Sequence, residues 1–96
     1  MGTRSEAAFQ EWAEPQGWGD LCQRGWPDFW GGMPSGEFAA VEVKRYPHEK
    51  LRSEQSDVIF NLLGHGIRCF LWCWQTKQLT ELTRDNLMQH TSLAGL

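Results

Sequence analysis

The sequence predicts one small α/β domain spanning residues 1–96, a mixed β-sheet flanked by helices. Three observations predict it. A helical stripe opens the chain, an alternating strand over 37–44 is followed by a helix, and a strand apolar on both faces follows that. Strand, helix and strand in succession form a crossover unit, which pairs its strands in parallel. Ninety-six residues supply a single core of modest size, for which dimerisation is a natural source of extra stability.

Thr3 to Glu6 reads as a capping box, with Thr3 as N-cap and Glu6 at the third helical position. Ala8, Phe9, Trp12 and Ala13 then share one helical stripe, and Pro15, Gly17 and Gly19 end the helix. Residues 20–24 form a short extended segment. Phe29 and Trp30 begin a strand that Gly31 to Gly36 interrupt with turn composition. Over 37–44 the side chains alternate, Val41 and Val43 on one face, Phe38, Ala40, Glu42 and Lys44 on the other. Pro47 closes this strand.

Ser53 is the expected N-cap of the next helix, with Val58, Ile59, Leu62 and Leu63 as its buried stripe and Gly64 or Gly66 as its stop. Residues 67–74 are apolar on both faces, as expected of a strand inside a sheet. Residues 78–82 form a last short strand, and Thr83 caps a final helix to about His90.

The composition, 41% hydrophobic and 22% charged, is that of a folded soluble domain. No apolar run approaches the ~20 residues that cross a bilayer. Cys22, Cys69 and Cys73 include no CxxC pair, and the chain opens without a secretion signal, so a reducing cytosolic compartment is expected. Cys69 and Cys73 sit in the apolar run and read as small hydrophobes, without the spacing of a zinc site. The six tryptophans imply a bulky core, a contact surface, or both.

A net charge of −3 argues against a nucleic-acid partner, but its distribution does not. Lys44, Arg45, Lys50 and Arg52 face only Glu49 in a short stretch that also holds His48. That pattern suits a protein that holds a divalent cation and meets phosphate on one face.

Asp28 follows Pro27, and Glu42 and Lys44 lie two apart on a strand, hence on one side of it. Asp28 and Glu42 are hard oxygen ligands suited to Mg²⁺ or Mn²⁺, the Val43 carbonyl is a further donor, and Lys44 can orient water or offset phosphate charge. The bare triplet is equally at home as a solvated ladder on an edge strand.

The wider pattern resembles the PD-(D/E)xK nuclease superfamily. It comprises Gly25-x-Pro-Asp28, a glycine-rich turn, Ala40-Val-Glu-Val-Lys44, then residues 51–55 opening a helix, and an apolar strand. Within that superfamily it is most similar to the virus-type replication-repair nuclease (VRR-NUC) domain, over residues 5–74. The resemblance implies a restriction-endonuclease-like core with Asp28 and Glu42 as metal carboxylates, Lys44 as catalytic lysine and Gln55 beside the active site. It implies for Glu6 a share in the metal site, a role for which Glu11 and Glu14 compete, and the capping box gives Glu6 a separate structural reason. Gln55 has the competing role of capping its own helix. Arg24 matches a position that is often basic in the family.

Arg45, Lys50 and Arg52, with Arg24, would grip DNA backbone without reading bases. Trp26 and Trp30 bracket Asp28, either as stacking platforms or as core and dimer contacts. The expected activity is Mg²⁺- or Mn²⁺-dependent hydrolysis of branched DNA, such as Holliday junctions or flaps. The resemblance to stand-alone phage enzymes implies a homodimer. The rival reading is a non-catalytic nucleic-acid-binding or scaffolding domain, against which all four site residues are present. A sequence-specific restriction enzyme is disfavoured by the lack of room for a reading element.

Overall fold

The computed structural model describes residues 4–23 and 27–92. It contains helix α1 (Arg4–Ala13), strands β1 (Gly19–Gln23), β2 (Phe29–Gly32) and β3 (Phe38–Lys44), helix α2 (Ser53–Gly64), and strands β4 (Arg68–Cys73) and β5 (Gln78–Leu82). The strands form one mixed sheet in the order β1-β2-β3-β4-β5. Only β3 and β4, joined through α2, run parallel, and the other neighbours are antiparallel.

Alternation along the strands divides the core in two. On one face Phe9 and Ala13 of α1 meet Phe29, Val41, Val43, Phe70 and Trp72. The Phe9 ring is central, with centroids 5.1 Å from Phe29, 5.4 Å from Trp72 and 5.8 Å from Trp18. On the other face Ile59 of α2 packs with Ala40, Leu51, Cys69, Leu82 and Leu87. The expected stripe of α1 faces the sheet; in α2 Ile59 is buried with Leu62 and Leu63 half-buried beside it, while Val58 is half-buried outside that cluster. Their ends carry left-handed glycines: Gly17 (φ 101°) after the turn that follows α1, and Gly66 (φ 77°) just beyond α2.

The proposed cap Thr3 lies outside the described residues. Three local expectations change. Gly31 and Gly32 continue β2 instead of breaking it, because β1 crosses so closely that a Cβ on Gly31 would lie 2.5 Å from Leu21 Cδ2 and 3.1 Å from the Gly19 carbonyl. Arg52, not Ser53, is the N-cap of α2, and its amide donates to Gln55 Oε1 (2.9 Å). The last helix shrinks to a 3₁₀ turn over Leu87–His90. Thr83 and Asn86 bond each other reciprocally there, amide to side chain, which closes a local turn instead of starting an α-helix. Cys69 is buried as expected, whereas Cys73 is only half-buried. Gly31→Ala is expected to cost about 1–3 kcal/mol in urea unfolding, since backbone as well as a leucine must yield.

Candidate active site

β3 is a central strand, so Glu42 and Lys44 are not an edge ladder. Glu42 is 3% exposed. One step beyond the last β2–β3 pair, Phe29 with Val41, sets Asp28 opposite Glu42, and a second sets Pro27 opposite Val43. The two carboxylates therefore meet at the point where the β2–β3 ladder ends, and they are interlocked. The Asp28 amide donates to Glu42 Oε1 (3.1 Å), and the Val43 amide donates to Asp28 Oδ2 (2.8 Å).

Proline explains why a side chain replaces a ladder bond there. Lys44 turns its carbonyl toward β4, where it accepts from the Trp74 amide, so the neighbouring Val43 turns its polar groups toward β2. Pro27 has no N–H to offer the Val43 carbonyl. The Val43 amide takes the Asp28 carboxylate, and the β2–β3 ladder, which ends at Phe29 and Val41, supplies no pair for its carbonyl.

Gln55, in the first turn of α2, ties the rest together. Its Nε2 donates to Glu42 Oε2, and its Oε1 accepts from Lys44 Nζ (3.3 Å) as well as from the Arg52 amide. Gln55 therefore caps its own helix and also touches Glu42 and Lys44.

Burial dominates the electrostatics. Desolvation, with the Asp28 charge beside it, pushes the Glu42 carboxyl up to about 7. Asp28 is also raised, first by desolvation and then by the negative charge of Glu6, against the Val43 amide bond that lowers it. Two like charges this close resist simultaneous ionisation unless positive charge joins them.

The acids open into a cleft of about 770 Å³ whose wall includes Glu6, Lys44, Arg45, Lys50, Arg52 and Gln55. Three of the four proposed DNA-binding cations thus share the cleft with the acid pair. Lys50 Nζ also donates to the Gln89 carbonyl (2.7 Å), and Arg45 lies over the Trp74 ring. Arg24 and Trp26 lie outside the described residues. Trp30 stacks on Phe38 (5.7 Å between centroids), away from the cleft wall. Glu6 reaches the cleft, but among the described residues no three His, Cys, Asp or Glu side chains converge tightly enough to hold an ion by themselves. Glu11 and Glu14 are not among the residues lining the cleft.

The cleft also contains residues to which no motif pointed: Ser5, Tyr46, His48 and Glu49. Glu49 Oε1 accepts from the Arg45 and Tyr46 amides (2.9 Å each), folding the segment after β3 over the site. Its position four residues after Arg45 is the one signal that could have marked it as a turn-former.

No family model, characterised protein or solved structure matches the chain. Among the described residues no helix is long and apolar enough to cross a membrane.

Proposed function

We propose that the chain is a metal-dependent, structure-specific DNA endonuclease with a restriction-endonuclease-like core of the VRR-NUC type, working as a homodimer on branched DNA. The observation that carries this reading is the buried Asp28–Glu42 pair joined through Gln55 to Lys44, at the mouth of a cleft lined by cations.

The donor set fits Mg²⁺ or Mn²⁺. Asp28 and Glu42 are hard carboxylates that need a positive partner, and the Val43 carbonyl faces the same point with no proline N–H opposite. Glu6 stands near enough to contribute through water. A divalent ion held there supplies Lewis acidity to a phosphodiester and acidifies water.

The chain's own groups do the positioning. Gln55 fixes both the Glu42 carboxylate and the Lys44 ammonium, so the lysine is presented beside the acids and not free in solvent. From there its charge offsets negative charge developing on phosphate oxygens. Arg45, Lys50 and Arg52 hold the backbone, which gives affinity without sequence readout. Contacts to the backbone of this kind leave discrimination to shape. A two-fold dimer presents two clefts for paired nicks on symmetrical strands.

The test is cleavage of labelled four-way junction, flap and linear duplex with Mg²⁺, Mn²⁺ or EDTA, beside sedimentation for the dimer. Metal-dependent cutting of junction or flap ahead of linear duplex is expected. Equal cutting of all three removes the structure-specific part. No cutting, with no Mn²⁺ heat by calorimetry, leaves the scaffold reading instead.

A further inference from the structure

Beyond the acid pair, β3 and β4 keep pairing past their last ladder residues. The Trp74 amide donates to the Lys44 carbonyl (2.8 Å) and the Gln75 amide to the Arg45 carbonyl (3.0 Å). Arg45 and Trp74 are therefore neighbours. Trp74 packs against the cluster of Val43 and Trp72, on the face opposite Glu42 and Lys44, and the Arg45 guanidinium lies over its ring.

A second hollow of about 350 Å³ lies there, within the range of small-ligand pockets, lined by Arg45, Tyr46, Trp74, Gln75 and Lys77. Arg45 and Tyr46 line both this hollow and the acid cleft, so the two are contiguous around the end of the sheet.

The lining combines flat rings with fixed cations. Tyr46 is 41% exposed, and His48 stacks parallel to it, centroids 5.5 Å apart at 6°. The Arg45 guanidinium carbon lies 5.3 Å and Lys77 Nζ 5.7 Å from the Trp74 ring centroid. Lys77 is also bonded to the Trp74 carbonyl (2.7 Å). It holds a left-handed backbone (φ 59°), a place that glycine or asparagine takes with less strain. Neither of those residues would set an ammonium beside the rings of Trp72 and Trp74.

We infer that this hollow binds an unpaired nucleobase of the DNA strand lying in the cleft, stacked between Tyr46 and Trp74, with Arg45 and Lys77 on the flanking phosphates. The inference rests on the nuclease reading and specifies its substrate class: duplex carrying a single-stranded flank. An acidic peptide would satisfy the cations but leave both rings unused. A base uses both, and stacking on aromatic rings is sequence-tolerant.

The experiment is fluorescence anisotropy in EDTA, so that turnover plays no part. It compares a labelled duplex bearing a short thymine overhang with the same duplex bearing an abasic overhang of equal length. The thymine overhang is expected to bind about tenfold tighter to the unmodified protein. Trp74→Ala erases that preference and Trp74→Phe restores most of it. Equal affinity for the two overhangs overturns the inference, with no variant needed. So does a full preference in Trp74→Ala, or displacement of the overhang by polyglutamate as effectively as by an oligothymidine. If the base preference is present but no DNA is cut with Mg²⁺ or Mn²⁺, the hollow stands and the nuclease reading falls. If DNA is cut without base preference, the reverse holds.

Discussion

Lys44→Ala is expected to slow metal-dependent cleavage by about a hundred- to a thousand-fold while leaving Mn²⁺ binding in place, whereas Asp28→Asn is expected to abolish both. The difference follows from what each side chain touches. Lys44 is half-buried and donates to Gln55 Oε1 at 3.3 Å, while Gln55 keeps its bonds to Glu42 and the Arg52 amide when the lysine is gone. Truncation therefore leaves the hydrogen bonds of the acid pair in place, while removing a positive charge that lowers both carboxyls. Asp28 is different, because its carboxylate is one of two that would share the ion and also accepts the Val43 amide. Single-turnover cleavage of a labelled junction, read beside calorimetric titration of Mn²⁺, separates the cases. Undiminished cutting in Lys44→Ala, or unaltered Mn²⁺ binding in Asp28→Asn, contradicts the assignment.

Glu42→Gln is expected to stabilise the metal-free protein at pH 8 by about 2 kcal/mol and to flatten its dependence on pH. The folded state raises the Glu42 carboxyl from its ordinary value to about 7, so it holds the proton more tightly than the unfolded chain does. Stability from that difference is fully present below the unfolded value, near 4.5, and is lost as pH rises through about 7. Asp28 is shifted in the same direction and adds to the slope. A shift of this size is worth roughly 3 kcal/mol, and the disturbed bond from the Asp28 amide gives back about 1. Thermal melts in EDTA between pH 5 and 8 should show the unmodified protein losing stability as pH rises. Mn²⁺ should restore it at pH 8, and Glu42→Gln should show only the shallower slope left by Asp28 and a weaker response to Mn²⁺. A melting temperature that stays level or climbs across that window refutes the account.

Much of this arrangement was legible in the sequence, because it rests on local periodicity. The two-residue spacing of Glu42 and Lys44 put both on one face, and the apolar run after α2 announced an interior strand. Asp28 was visible because a proline precedes it, and that proline ends the β2–β3 ladder. What was not legible depended on tertiary choice. Ser53 has the chemistry of a cap, yet Gln55 turned its own side chain back to the Arg52 amide and moved the boundary by one residue. Thr83 found Asn86 before it could start a helix. Gly31 looked like a turn residue because the close passage of β1 is not written near it. Tyr46 and Trp74 carry no common motif and meet only through the pairing of β3 with β4 beyond the ladder.

Gln55 has one further consequence. A single amide closes the first turn of α2, restrains the buried glutamate and holds the lysine. Fraying of that turn is expected to release Glu42 and Lys44 together. Nor does a residue of equal shape relieve the constraint, since glutamate would exchange the donor for a third negative charge against Glu42. Helix and site are bound to one another through three hydrogen bonds made by two atoms of an uncharged side chain.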